Sequence, residues 1–260
     1  MSFEVLILPT SWFRNPKTDL SNLRYLINKG YNKPRKTFGI IETLRIISTD
    51  SFFDDLAVLP NDQLNFFLLL GTEEKFQNLE NNGIYRDFKD EDVQNAFGCD
   101  IPKEYRSLFP LSDLPNAKIK IVDSDFKLDD SYLKRVIAST GLRSYDKVSK
   151  PGEKDVILTT YCSFLSHAAS DFLDFLISNC ILNPKIFKAL YSEPLSDFKT
   201  IVIHADCIIE HNLIDYYTGK CKFFKSNKPD ISIASAAGGY KQVIASRNFN
   251  IGFLYRRIDV

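Results

Sequence analysis

Two aspartates on either side of a short turn are the side chains whose type and spacing best suggest chemistry. Residues 200–222 predict a strand that holds Asp206, a tight turn at residues 210–212, and a second strand that holds Asp215. An antiparallel hairpin would bring the two carboxylates together, and carboxylate oxygens are ligands that Mg²⁺ prefers. A lysine beside them would orient a water and balance the charge on a scissile phosphate.

Basic residues around this hairpin predict contacts with a nucleic-acid backbone. Residues 185–260 carry eleven Lys and Arg against seven Asp and Glu. Lysine and arginine that neutralise phosphates supply most of non-specific DNA binding. The candidates are Lys222, Lys225 and Lys228 after the hairpin, and the pair Arg256 and Arg257 near the end. The alternative interpretation is a solvated loop and a solubilised last strand.

The composition restricts the class of protein. The 260 residues include 33 Lys and Arg and 33 Asp and Glu, which excludes a histone-like polyanion binder and an acidic disordered chain. The length suits one large domain or two small ones. The five cysteines are few and scattered, and the first residues do not resemble a signal peptide, so we expect a reducing, cytoplasmic location. No apolar run approaches the roughly 20 residues of a membrane span.

The hydrophobic periodicity predicts an α-rich region of unknown role over residues 1–145. Short strands are expected at residues 2–8 and 118–122. Apolar residues recur with helical spacing elsewhere, which predicts amphipathic helices. These helices are expected from Asp19 to Gly30, Phe38 to Ile47, Asp62 to Leu70, Thr72 to Leu79 and Asp129 to Ser139.

The segment 143–155 is polar and contains Pro151-Gly152, which is typical of a linker. Residues 156–260 after it predict a separate α/β domain. Its expected elements are a helix over 156–181, strands over 200–209, 213–217 and 221–224, a helix over 231–245, and a strand over 251–255.

Within this second region the sequence resembles the PD-(D/E)xK nucleases, the restriction-endonuclease-like and RecB-like superfamily. The stretch A-D-C-I-I at residues 205–209 is similar to the first half of the family hairpin. L-I-D at residues 213–215, followed by Thr218 and Lys220, is similar to the second half. The resemblance also covers A-A-G-G-Y at residues 236–240 and the closing I-G-F-L-Y-R-R strand.

The resemblance implies a restriction-endonuclease-like mixed sheet flanked by helices, preceded by the α-rich region. It also implies that Asp206 and Asp215 bind Mg²⁺. The signature lysine of the family falls on Tyr217 in this chain, so Lys220 or Lys241 would have to take over its role.

Two functions therefore stay open at this stage. The first is a Mg²⁺-dependent DNA endonuclease of restriction or anti-phage defence. The second is a non-catalytic subunit of a multi-protein complex, whose nuclease fold binds a partner protein or positions DNA; Tyr217, and Ala236 at the family's glutamine position, favour this second function. A small-molecule enzyme with its site in the N-terminal half is a third alternative, and no motif supports it.

Overall fold

One mixed β-sheet runs through the part of the chain that the structure describes. The computed structural model describes residues 3–145, 149–235 and 243–260. The described residues form a nine-stranded sheet in the order β3-β1-β2-β4-β5-β6-β9-β7, with β8 also paired to β9. The strands are β1 (Phe3–Leu8), β2 (Leu64–Gly71), β3 (Lys118–Ile121), β4 (Val136–Ser144), β5 (Glu153–Ser163), β6 (Thr200–Ile208), β7 (Phe224–Lys225), β8 (Ile231–Ile233) and β9 (Phe249–Asp259).

Most neighbouring strands are antiparallel, and two pairs are parallel. These pairs are β1 with β3 and β5 with β6. Parallel neighbours need a crossover connection, usually a helix. The crossover from β5 to β6 contains two helices, and these pack on one face of the sheet.

Helices cover both faces of the sheet. The long helix α2 buries Leu23, Leu26 and Ile27 against one face, and α6 buries Phe172 and Leu173 against the other. The two hydrophobic cores therefore lie on opposite sides of the same strands. The helices are α1 (Thr10–Arg14), α2 (Ser21–Phe38), α3 (Phe52–Asp55), α4 (Glu73–Asn81), α5 (Asp130–Lys134), α6 (Ala168–Leu176), α7 (Pro184–Tyr191) and α8 (Ile214–Gly219).

Several sequence-based assignments in the N-terminal half are wrong. The segment predicted as a helix over 62–70 is β2, whose eight residues are all buried. A strand covered on both faces reads as a continuous apolar run and shows no alternation. The helix predicted over 129–139 divides into α5 and the start of β4. The helix predicted over 38–47 does not form, because α2 ends at Phe38 and Gly39 after it has the left-handed conformation.

The C-terminal assignments also need correction. The helix predicted over 156–181 begins as β5 and becomes α6 only at Ala168. The strand predicted over 213–217 is helix α8, so the predicted hairpin does not form. Of the helix predicted over 231–245, residues 231–233 form β8, and 236–242 lie outside the described residues.

The architecture is thus α/β, a large mixed sheet flanked by helices. An α-rich N-terminal region is not confirmed, because β1 to β4 come from residues before 145. The division into domains at 145–156 stays a prediction. No helix in the described parts of the chain is long and apolar enough to cross a membrane, and the cytoplasmic location stays a prediction.

Candidate functional site

A gap in the middle of the sheet separates two parallel strands. β5 and β6 pair from Glu153 with Thr200 to Ile157 with His204. Beyond this point both strands continue, but within the described residues they no longer pair with each other. Each keeps its outer neighbour, β4 for β5 and β9 for β6. The gap therefore opens toward the carboxyl ends of the two strands, which is where ligands bind in many α/β sheets.

A bulge bends β5 where the gap begins. The register between β4 and β5 slips near Thr160, which has a φ of 50°. A β-branched residue rarely adopts this left-handed conformation, and bulges bend the strand that carries them. Gly141 on β4 makes room for the bulge, because a Cβ there would lie 2.8 Å from the Thr159 methyl carbon and 2.9 Å from the Thr160 hydroxyl oxygen.

A cavity of about 530 Å³ occupies this gap. Its walls are the facing edges of β5 and β6, α2, the segment over residues 41–57 and, from α8, Tyr217. Representative lining residues are Tyr31 and Pro34 from α2, Thr159 and Cys162 from β5, and Asp206 and Cys207 from β6. The cleft, as we call this cavity below, is thus built from segments that are far apart in the sequence.

Helix α2 is fixed closely against the end of β5. A Cβ on Gly30 would lie 2.7 Å from the sulfur of Cys162, so only glycine permits this approach. The Lys33 ammonium donates a 2.6 Å hydrogen bond to the Ser163 carbonyl oxygen, and it also pairs with Asp100. The charge of Lys33 is therefore engaged in holding the wall of the cleft.

The first buried proton donor of the cleft is Tyr217. This tyrosine lies on α8, the helix that follows the turn after β6, and only 8% of its surface is exposed. Its ring packs 5.9 Å from Tyr161 and 5.5 Å from Phe223. Burial raises the pKa of Tyr217 well above its usual value. The phenol is therefore protonated at every physiological pH.

The second buried polar group of the cleft is His211, in the turn between β6 and α8. Its ring stacks on Phe38 of α2 at 4.9 Å, and its Nε2 has no partner in the part of the chain that the structure describes. Burial lowers the pKa of His211 to about 4. The imidazole is consequently neutral near pH 7.

The predicted metal pair is not held on a hairpin. Asp206 lies on β6 and lines the cleft, whereas Asp215 lies in the first turn of α8 and is exposed. Within the described ranges, no group of three or more His, Cys, Asp or Glu side chains is placed to hold a metal ion. Lys220 is exposed at the end of α8, and Lys241 lies outside the described residues. The Mg²⁺ cofactor is not tested and stays a prediction.

The residues predicted to contact a DNA backbone all have partners within the protein. Four of them pair with carboxylates, and Lys228 donates a hydrogen bond to a tyrosine hydroxyl. Contact with DNA therefore stays a prediction, in which phosphate would have to compete with these partners. The pairs are Lys222 and Arg256 with Asp174, both at 2.7 Å, Lys225 with Asp230 at 3.3 Å, Arg257 with Glu153 at 2.6 Å, and Lys228 with Tyr145 at 2.8 Å.

A model of the sporulation protein RMD6 family matches residues 1–258, nearly the whole chain. The chain belongs to the RMD6 family. The resemblance to PD-(D/E)xK nucleases is therefore wrong, and with it the predicted functions in DNA cleavage, in anti-phage defence and as a nuclease-like subunit. DNA and protein partners are not tested by this finding. No curated protein gives a significant match.

Two solved structures show a distant likeness to this RMD6-family chain. A probable acetyltransferase from Staphylococcus epidermidis ATCC 12228 is 11% identical, covers 98% of both chains and has a TM-score of 0.35. A point mutant of spermidine N-acetyltransferase SpeG from Vibrio cholerae is also 11% identical. It covers 72% of this chain and 91% of its own, with a TM-score of 0.24. Scores this low carry no argument.

The sequence interpretation missed most of the cleft. It placed Asp206 on a strand but assigned Tyr217 only as the position of a missing lysine, and it gave no role to α2. One signal was available: the strand over 200–209 is followed by Asn212, which tolerates the left-handed conformation and is typical of a turn into a new element. Asn212 has a φ of 53° and precedes α8.

Proposed function

We propose that this RMD6-family protein transfers an acyl group from an extended thioester donor to an amine, and that both bind at the cleft. The observation that carries the proposal is the separation of β5 and β6 over a cavity of about 530 Å³. A pocket of this size suits an elongated small molecule.

The edge of β5 that faces the cleft favours a donor that carries amides. Over residues 158–162, β5 has lost its neighbour β6 but keeps β4 on the other side, and the next carbonyl oxygen, that of Ser163, accepts from Lys33. Unpaired strand N–H and C=O groups bind an extended ligand as an additional strand. A donor with secondary amides along a narrow arm, such as a coenzyme A thioester, has the groups that this edge requires.

Tyr217 is the candidate acid for such a reaction. The amine nitrogen attacks the thioester carbonyl and loses a proton, the carbon–sulfur bond breaks, and the leaving thiolate takes a proton from the Tyr217 hydroxyl. The proton released by the amine restores the phenol, so that the products are an amide and a thiol. A phenol with a raised pKa is fully protonated before the reaction and can donate to a thiolate.

Both compared structures are named as acetyltransferases. Their names agree with this proposal, but their low scores lend it no weight. Support comes from the strand gap, the unpaired edge of β5 and the buried phenol.

The direct test is the binding of coenzyme A and acetyl-coenzyme A by calorimetry, followed by thiol release with an amine acceptor. Thr159 lines the cleft, so Thr159→Trp should fill the cavity and abolish binding. Thr159→Val, which keeps the shape of the side chain, should preserve it. The absence of binding by folded wild-type protein would contradict the proposal. Binding without thiol release for any amine would contradict the transfer step.

A further inference from the structure

Two arginines that line the cleft form no ion pair within the described residues. Arg35, in the last turn of α2, donates hydrogen bonds to the side-chain oxygen of Asn32 and to the carbonyl oxygen of Glu42. Arg45 donates to the backbone carbonyl oxygen of Asp55. These acceptors are neutral, and a guanidinium has more N–H donors than the bonds use. We call Arg35 and Arg45 the arginine pair.

Three other cations of α2 that are at least half-buried do have carboxylate partners. They are Arg24 with Glu91, Lys29 with Asp90, and Lys33 with Asp100. Burying a charge is costly unless an opposite charge offsets it. Burial lowers the pKa of Arg35, and the charge of Glu91 offsets this effect only in part. The arginine pair therefore favours an anionic ligand in the cleft.

The charge of the whole cleft lining agrees with this inference. The lining contains four cationic side chains and two carboxylates, and His211 is neutral near pH 7. Opposite charges attract more strongly inside a partly buried cavity than in water. The cleft is thus suited to a ligand that carries negative charge. The cations are Lys33, Arg35, Arg45 and Arg143, and the carboxylates are Asp55 and Asp206.

One tyrosine connects the arginine pair with the proposed acid. The Arg45 guanidinium lies 5.7 Å from the centre of the Tyr31 ring. Tyr31 lies one helical turn before Arg35 on α2, and residues at this spacing are neighbours on a helix surface. Besides burial, the Tyr31 phenol raises the pKa of Tyr217, an effect that weakens with distance. An anionic group at the arginine pair and an amine beside Tyr217 can therefore belong to one small molecule.

We propose that the arginine pair binds a carboxylate of the acceptor, and that the acceptor is an α-amino acid with an apolar side chain. Guanidinium groups are planar and match a carboxylate with paired hydrogen bonds. Leu44 and Leu56 also line the cleft, and they neighbour Arg45 and Asp55 in the sequence. The role of the amino acid as acceptor rests on the proposed acyl transfer, but the binding of the carboxylate does not.

The test compares N-acetyl-leucine, the product expected from leucine, with its neutral counterpart N-acetyl-leucinamide by NMR titration. Wild-type protein should bind the carboxylate about tenfold more tightly than the amide, because only the carboxylate forms charge-assisted hydrogen bonds. Arg45→Gln should remove this preference. Arg45→Lys should keep part of it, since the charge remains. Equal binding of the two ligands by wild type, or no binding of N-acetyl-leucine, would overturn the proposal.

Arg24→Gln is the matched control. Arg24 also lies on α2, and its guanidinium is 5.3 Å from the centre of the Tyr25 ring, but it is not among the residues that line the cleft. This variant should keep the preference for the carboxylate. Thermal unfolding checks that each variant is folded. An equal loss in Arg24→Gln and Arg45→Gln would overturn the proposal.

A second measurement needs no variant. Increasing sodium chloride should weaken the binding of N-acetyl-leucine to wild-type protein, because salt screens the attraction between charges. The binding of N-acetyl-leucinamide should change little. The same salt dependence for both ligands would overturn the proposal.

Phosphate groups of the donor are the other source of anionic oxygens. If Arg45→Gln weakens the binding of coenzyme A and leaves that of N-acetyl-leucine unchanged, the arginine pair binds the donor and the proposal is overturned.

The two proposals fail in different ways. If the protein prefers N-acetyl-leucine to its amide but binds no thioester, the acyl transfer is wrong and the carboxylate site stands. If thioester binding and acyl transfer are observed but the two leucine derivatives bind equally, the carboxylate site is wrong and the transfer stands.

Discussion

Gly141 of β4 lies so close to Thr160 of β5 that a Cβ on Gly141 would be 2.9 Å from the Thr160 hydroxyl oxygen. The missing side chain makes room for the bulge, and the bulge turns the end of β5 away from β6. The size of the cleft therefore depends on a glycine that does not line it.

Replacing Gly141 with alanine should destabilise the protein by about 1 to 3 kcal/mol, because the added methyl group overpacks a buried site. The neighbouring strand has little freedom to adjust, since Thr160 is itself fully buried. Urea unfolding followed by circular dichroism measures the change.

Gly219→Ala is the control for this prediction. Gly219 ends α8, and a Cβ there would meet no heavy atom within 4 Å. The free energy of unfolding should stay within about 0.5 kcal/mol of wild type. Equal losses of unfolding free energy in the two variants would mean that the close approach at Gly141 does not explain the loss.

The second prediction concerns the loss of stability when the buried Arg86 is replaced. Its guanidinium is buried and donates hydrogen bonds to the carbonyl oxygens of Cys99, Lys134 and Val136, all within 2.7 Å. Arg86→Met should cost about 3 kcal/mol or more, because three buried carbonyls lose their donor. Arg86→Lys should recover only part of the loss, since one ammonium cannot reach all three. Thermal and urea unfolding measure both, and full recovery by lysine would contradict the geometric explanation.

His211 predicts how stability changes with pH. Burial lowers its pKa to about 4 in the folded state, against an ordinary value of 6.5. The unfolded chain therefore binds more protons between these values, and stability is lost as the pH falls from 6.5 toward 4. Between pH 7.5 and 5 the loss from this group should be about 2 kcal/mol.

His211→Phe keeps an aromatic ring against Phe38 and removes the titration. The variant should lose about 2 kcal/mol less than wild type when urea unfolding at pH 7.5 is compared with unfolding at pH 5. His204→Gln replaces a different histidine, one that pairs with Asp155. It tests whether the smaller loss of stability is specific to position 211. A pH dependence that His211→Phe leaves unchanged would assign the loss to other groups.

The strands of this fold were not equally predictable: β1 was correctly predicted at residues 2–8, whereas β2 was assigned as a helix. Residues 118–121 alternate between exposed and half-buried positions and were correctly predicted as a strand. Residues 64–71 are buried on both faces, and a short apolar run of this kind cannot be distinguished from a buried helix by periodicity. β5 and α6 follow each other with only four residues between them, so their apolar residues were assigned to one long helix.

The site was harder to predict because contacts between distant residues build it. The hydrogen bond from Lys33 to Ser163 joins positions 130 residues apart. The pairing of β5 with β6 ends within both strands, at Ile157 and His204, and no local pattern of residue types marks that point. Asp206 was predicted as a metal ligand paired with Asp215 on a hairpin, which does not form; that it lines the cleft depends on strands distant in the sequence.

Tyr217 gives the most direct test of the proposed chemistry. Tyr217→Phe removes one oxygen from a buried ring, and it should lower kcat for acyl transfer about 100-fold or more, because general acid catalysis is lost. The dissociation constant for acetyl-coenzyme A should change little, since the ring still fills its place at the end of the cleft. Tyr216→Phe is the control, because Tyr216 is the neighbouring residue on α8 and lies outside the cleft lining. The measurement is single-turnover thiol release beside calorimetric binding. A loss of binding in Tyr217→Phe would assign the phenol to donor recognition, and an unchanged kcat would show that the leaving thiolate takes its proton elsewhere.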